Sequence, residues 1–345
     1  MTDVTCDGLD IGLFSVSSTA DNRAVAQKAE ARGFERVWLA EDYHSRDLIV
    51  QATAIGAATN SIQLGLGIVN PFTRHPAQIA MAVADIEELC GPRIILGLGA
   101  GHTAINAHGI EKPRPITALK EAGEICRRLL QGERVIFEGD IFRLPSPGTK
   151  LRFTLARSRV PMYFGTMGPR TLRSVASVSD GVKFSVFTTP AYAKTCMAHL
   201  REALVGTSRS IDDIDISCYI IFSVDEDRGA ARDAARPLVA HYVMQIPDMT
   251  RYEYAGLDIP MMKGLQSELR RAFNGNRFKD AITKVPDVVV DELAVTGTPA
   301  ECIERLKMYV AAGIKTPVLY HALGPDRLEA IDVIADSIRP SLLGA

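Results

Sequence analysis

Paired cysteines, long apolar runs and an excess of either charge are what this 345-residue sequence lacks. Its six cysteines, Cys6, Cys90, Cys126, Cys196, Cys218 and Cys302, stand far apart, without the close pairs that zinc sites and redox motifs use. They are read as reduced and structural. No stretch approaches the roughly 20 apolar residues of a membrane span. The start carries Asp3, Asp7 and Asp10 where a secretory leader would carry basic residues and then an apolar run, so a cytoplasmic protein is expected. Lys and Arg number 39 against 41 Asp and Glu, a net charge of −2. That balance produces no field to gather a nucleic acid or an anionic membrane, and neither is expected as a partner. The seven histidines lack the paired spacing of metalloenzyme helices, and no metal is expected. A serine elbow of the Gly-x-Ser-x-Gly type is absent, and no dinucleotide fingerprint of glycines follows the first apolar run.

What remains is a chain that is 47% hydrophobic and 23% charged, enough to bury a large core. Short apolar runs alternate with amphipathic stretches rich in Ala and Leu, the pattern of β-α units around a parallel sheet. Strands are predicted at Leu9–Phe14, Arg36–Leu39, Gln63–Val69, Arg93–Gly97, Met162–Gly165, Gly181–Ser185, Ile216–Val224 and Thr316–Leu323. Helices are predicted at Asp21–Arg32, Asp47–Thr59, Pro76–Glu88 and Pro115–Gln131. Two short apolar runs around Glu138-Gly139-Asp140 signal a hairpin between Arg134 and Leu144. Eight strands separated by helices point to an α/β fold of the (β/α)8 TIM-barrel type, a single domain over residues 1–345. The long stretch from about Pro237 to Glu292, with Met244, Met249, Met261 and Met262, is read as an insertion at the carboxyl-terminal face of the strands. Extra helical packing and a lid over the barrel mouth are both open readings for it.

In such a barrel the chemistry gathers in the loops after the strands. After the second strand come Glu41, Asp42, Tyr43 and His44, groups that transfer protons or bind a polar ring. Asp47, further on, is read as the cap of the next helix. In the third strand Gly65 and Gly67 indicate a bulge, or a place where another group approaches the backbone. A flat ring and tight interstrand packing both satisfy that need. The fourth strand ends in Gly97-Leu-Gly-Ala-Gly101 followed by His102, a glycine-lined opening able to admit a ring beside a titratable imidazole. The strand at Met162–Gly165 runs into Thr166-Met-Gly-Pro-Arg170. There Gly168 permits a close turn, Pro169 suits a helix start, and Arg170 adds charge beside free amides, a pattern for holding phosphate.

Several segments together resemble one family. They are Gly33-Phe-Glu-Arg-Val-Trp-Leu-Ala-Glu-Asp42, the run from Gly65 to Pro76, Ile95-Leu-Gly-Leu-Gly-Ala-Gly101, Phe164-Gly-Thr-Met-Gly-Pro-Arg170, Val295 to Leu306, and Leu319-Tyr-His-Ala-Leu-Gly-Pro325. They resemble the luciferase-like monooxygenase superfamily, and most closely its deazaflavin-dependent branch, which includes methylenetetrahydromethanopterin reductase. The resemblance covers nearly the whole chain. It implies a barrel that binds coenzyme F420, or alternatively FMN, at the carboxyl ends of the strands, often in a homodimer, and acts on a small-molecule substrate. It further implies a non-proline cis peptide at Gly67–Ile68, ring-proximal contacts at Glu41 and Asn70, and phosphate contacts at Gly165, Thr166, Gly168, Pro169 and Arg170, with Ser185 at the end of the next strand.

The sequence departs from the reductase at two places, where Phe14 and His102 stand instead of acids. A different substrate is therefore expected, with His102, His44 and Asp42 as the candidates for moving a proton. Three readings follow. The leading one is hydride transfer between coenzyme F420 and an organic substrate. The others are an FMN-dependent monooxygenase of the same superfamily and a cofactor-binding homologue without catalysis.

Overall fold

The computed structural model describes residues 5–14, 16–43, 45–101 and 109–344. In chain order these form β1 (Asp10–Phe14), α1 (Thr19–Ala31), β2 (Arg36–Ala40), α2 (Leu48–Gly56), β3 (Gln63–Val69), α3 (Pro76–Cys90), β4 (Ile94–Leu98) and α4 (Pro115–Leu130). A hairpin, β5 (Val135–Glu138) and β6 (Arg143–Thr149), leads to β7 (Met162–Gly165), α5 (Pro169–Val175), β8 (Gly181–Phe184), α6 (Pro190–Leu204) and β9 (Asp215–Val224). Five helices then follow without a strand: α7 (Arg228–Gln245), α8 (Thr250–Tyr254), α9 (Ile259–Asn274), α10 (Phe278–Ile282) and α11 (Asp287–Leu293). The chain ends with β10 (Val295–Gly297), α12 (Pro299–Ala311), β11 (Thr316–Leu323), α13 (Arg327–Val333) and α14 (Arg339–Leu343).

Parallel pairing runs β1, β2, β3, β4, β7, β8, β9, β11 and back to β1, which closes an eight-stranded (β/α)8 barrel. The short β10 pairs alongside the carboxyl end of β9, and the β5–β6 hairpin stands outside the barrel as a separate antiparallel pair. Among the described residues no helix is long and apolar enough to cross a membrane. Pro237 lies inside α7, so the long segment read from the sequence begins within a helix.

Side chains alternate across each strand, as the two-residue period requires. On β2, Val37 and Leu39 face the helices while Trp38 and Ala40 face the barrel interior; on β11, Leu319 and Leu323 face out while Val318, Tyr320 and Ala322 face in. The interior holds more ring than eight strands of ordinary residues would leave room for, and glycine makes the space. Trp38 lies opposite Gly65, Tyr320 opposite Gly12 and Tyr163 opposite Gly181, each pair in direct register. A Cβ on Gly65 would stand 2.2 Å from the Trp38 indole, one on Gly12 2.7 Å from Tyr320, and one on Gly181 2.3 Å from Tyr163. Of the two readings open for Gly65, tight interstrand packing is the one observed.

The amino end of the interior is closed by charge. Arg36 pairs with Asp10 at 3.0 Å and Asp215 at 2.9 Å. Trp38 Nε1 donates to Asp10, and Tyr163 and Thr316 both donate to Asp215. At the carboxyl end, the inward residues Phe14, Tyr219 and Tyr320 merge with the apolar faces of α7 to α11 into a second core. The helical segment therefore packs on the barrel mouth.

Candidate active site

A cavity of about 460 Å³ opens at the carboxyl ends of the strands. Its floor is Gly67 and Ile68 of β3, where the register against β4 shifts between Leu66 and Val69. The Gly67–Ile68 peptide is cis. Tyr219 donates its hydroxyl to the Gly67 carbonyl at 2.8 Å, holding the floor from below. The walls are Ala40, Glu41 and Tyr43 at and after the end of β2, Ala100 and Gly101 after β4, and Gly165, Thr166 and Gly168 at and after the end of β7. Phe184, Ser185 and Val186 close it at and after the end of β8, and Tyr242 of α7 with Asp248 and Arg251 forms the side made by the helical segment.

Glu41 is the acid on the wall after β2, with a side chain only 8% exposed. Its carboxylate accepts from the Asn70 amide at 3.2 Å and lies 3.6 Å from the Arg74 guanidinium, which also pairs with Asp47. Burial outweighs Arg74 and raises the Glu41 carboxyl from 4.5 to about 7. The folded chain thus keeps a proton that the unfolded chain releases, and this contribution to stability is lost as pH rises from 4.5 through about 7. Between about pH 5 and pH 8, the native chain is expected to lose roughly 1–3 kcal/mol relative to Glu41→Gln. Urea unfolding of both proteins at the two pH values measures this, and parallel stabilities would show that Glu41 stays ionised.

Asn70 is fully buried and is not among the described residues that line the cavity. Its amide donates to the Tyr43 hydroxyl at 2.8 Å and to the Ala100 carbonyl at 3.2 Å, and its Oδ1 accepts from the Phe72 amide. It ties the loops after β2, β3 and β4 together and so positions Glu41 and Tyr43. In the glycine run that ends β4, Ala100 and Gly101 line the cavity, while the protein's own groups occupy the space beside the glycines. A Cβ on Gly99 would meet Ile68 at 2.6 Å, one on Gly97 the Leu66 carbonyl at 2.4 Å, and one on Gly101, at φ +64°, the Tyr43 hydroxyl at 2.4 Å. Gly165 gives way to Ile68 in the same manner, at 2.7 Å.

Of the remaining residues expected from the sequence, Gly67, Ile68, Gly165, Thr166, Gly168 and Ser185 all line the cavity. Pro169 and Arg170 open α5 and are exposed outside it. Asp42 accepts from the Ser45 hydroxyl and is not among the described residues that line the cavity. His44 and His102 lie outside the described residues. Asp47 caps α2 through the Ile49 and Val50 amides.

Two cationic residues on the cavity were not anticipated. Lys183, from the middle of β8, is buried below Gly67 with its ammonium 3.5 Å from the centre of the Trp38 ring and 4.2 Å from that of Tyr219. Burial lowers its pKa to about 7, against the pull of Asp10 and Asp215. Arg251, from α8, donates to the Val186 carbonyl at 2.8 Å, and its Nε is buried without a hydrogen-bond partner. A lysine inside a four-residue apolar strand was the available signal for the first; nothing local marks the second. Among the described residues no group of three or more metal-ligating side chains occurs.

The cavity suits a flat ring carrying an anionic arm. Ala40, Ile68, Ala100 and Phe184 offer apolar surface, and Arg251 offers a guanidinium whose Nε has no hydrogen-bond partner. These features define a (β/α)8-barrel protein whose ligand cavity lies where such barrels carry their chemistry. The sequence matches the luciferase-like monooxygenase family over residues 8–316, and the chain belongs to that family. A 5,10-methylenetetrahydromethanopterin reductase of Archaeoglobus fulgidus is 33% identical over 315 residues, covering 91% of this chain and 93% of that protein. An F420-dependent glucose-6-phosphate dehydrogenase of Nakamurella multipartita is 27% identical over 344 residues, 95% of this chain and 93% of that one. The structure of the coenzyme F420 dependent tetrahydromethanopterin reductase from Methanopyrus kandleri is similar at a TM-score of 0.86 and 27% identity, covering 96% of this chain and 98% of that chain.

Proposed function

We propose that this protein is an oxidoreductase that moves a hydride between coenzyme F420 and a small organic substrate. The cavity with Arg251, whose Nε has no hydrogen-bond partner, carries the reading, together with relatives named for F420 that align over nine-tenths of the chain or more. When bound, the deazaflavin supplies the hydride donor or acceptor, and the protein's part is binding, orientation and electrostatics. Ile68 and the Gly67 backbone support the ring from below, and Ala40, Ala100 and Phe184 exclude water from its edges. Thr166, Gly168, Ser185 and Arg251 hold the anionic arm, with Gly165, Pro169 and Arg170 shaping its exit. Glu41, poised near neutrality, holds a proton at the wall. Asp42, His44 and His102 are the proposed route by which protons reach the substrate. Homodimerisation and a cytoplasmic location are part of the proposal.

Titrating the purified protein with F420 and, separately, with FMN tests the reading through cofactor fluorescence. F420 is expected to bind more tightly than FMN, and Arg251→Met to weaken it by about tenfold, the loss of one charge-assisted bond. Arg170→Ala is expected to weaken it less. A preference for FMN would turn the assignment to a monooxygenase, and binding of neither would overturn it.

A further inference from the structure

A second cavity, of about 450 Å³, lies between α7 and the carboxyl ends of β1 and β11. It shares no lining residue with the cofactor cavity. Phe14 on its wall and Tyr242 on the wall of the other stand between the two, with ring centres 6.1 Å apart. Most of its surface is apolar, from Phe14, Pro237, Leu238, Phe278 and Ala322. Its polar groups are concentrated in His321 and Arg327, with His241 and Ser17 beside them.

Both of those groups are short of partners. β11 loses register between Tyr320 and Leu323, and His321 sits there at φ +65°, a left-handed conformation that non-glycine residues disfavour and that recurs at ligand sites. Its Nδ1 is buried without a hydrogen-bond partner. Arg327 donates to the Ser17 hydroxyl at 3.2 Å and the Asn22 side-chain oxygen at 3.3 Å, both neutral, and its Nε is buried with no acceptor. Among the described residues the carboxylate whose field reaches Arg327 is that of Asp21, which is exposed. Burial holds the Arg327 guanidinium down to about 10. The His321 imidazole is held to about 3, by burial first and then by the charges of Arg327 and His241. A half-buried cation whose Nε has no acceptor stands beside an orphaned ring nitrogen, in a mostly apolar chamber with no acid on its described walls.

We propose that this cavity is a binding site for a small carboxylate with an apolar body, distinct from the cofactor site. The carboxylate is held by Arg327 and His321, and the body lies on Phe14, Leu238 and Phe278. One guanidinium edge and one imidazole supply the donors for a monoanion, whereas a phosphate dianion needs more than these walls offer. The inference does not depend on the cofactor assigned above.

Calorimetric titration of the full chain with 3-phenylpropionate, its primary amide and inorganic phosphate tests it. The acid is expected to bind at least tenfold more tightly than the amide or phosphate, and about tenfold less tightly to Arg327→Met. Ala234→Leu, which places a larger side chain on the cavity wall and leaves both polar groups in place, is expected to weaken the acid as well. Saturation with F420 beforehand is expected to leave the acid's affinity unchanged. Absence of binding, equal affinity for acid and amide, displacement by F420, or full affinity in both variants would each overturn the proposal.

Discussion

Arg36→Met is expected to cost about 3–5 kcal/mol, the loss typical of breaking a buried ion pair from one side. Its guanidinium joins the first residues of three strands, Asp10 of β1, Asp215 of β9 and Thr316 of β11, and its side chain is only 14% exposed. Methionine fills the volume but leaves two carboxylates at the closed end of the barrel with Lys183 as their remaining buried cation. Asp10 has the most to lose, because burial already raises its carboxyl to about 6 even with Arg36 beside it. In the variant Asp10 takes up a proton more readily. The deficit should therefore be smaller at about pH 5 than at about pH 8, and Asp10→Asn in the same background should recover part of it. Urea midpoints of the single and double variants measure both effects. A uniform deficit across pH would show that the loss is packing alone.

That network also explains why the fold was more legible in the sequence than the site. All eight barrel strands were read to within a residue or so of their ends, and Gln63–Val69, Met162–Gly165 and Thr316–Leu323 coincide with β3, β7 and β11. Strands covered by helices outside and side chains inside read as unbroken apolar runs, and glycine, proline and acids mark their ends. The walls were legible by rule, since whatever follows a strand in a barrel faces the mouth; Glu41, Thr166 and Gly168 were found that way, and Ser185 from the resemblance. What fills a space was not legible. Gly99 and Gly165 announce a close approach without saying that the visitor is Ile68, and Gly65 does not say that it is Trp38. Asn70 was expected beside the ring from the resemblance alone, and its local sequence cannot reveal that its side chain bonds to Tyr43, Ala100 and Phe72. Arg251 reaches the cavity only through the packing of α8 on the barrel mouth, an outcome of tertiary contacts.

Lys183→Met is expected to flatten a rise in stability that the native chain should show toward alkaline pH. The ammonium is held between Trp38 and Tyr219, which favour its charge, and within reach of Ser217 at 3.4 Å. Burial nonetheless wins and brings its pKa from 10.5 to about 7. Between those values the unfolded chain binds a proton that the folded chain has released, so stability rises with pH across the window and is lost as pH falls through about 7. The difference between native and variant proteins should change by about 2–4 kcal/mol from pH 7 to pH 10, since each tenfold change in proton affinity corresponds to about 1.4 kcal/mol. A constant difference would mean that Asp10 and Asp215 keep the amine charged throughout. Lys183 also lines the cofactor cavity below Gly67, so the same titration changes the charge under the floor that supports the bound ring. An amine that is half protonated near neutrality would stabilise a reduced, more negative ring by an amount that falls with rising pH. Replacing it with methionine should remove that dependence from cofactor affinity while leaving the cavity's shape in place.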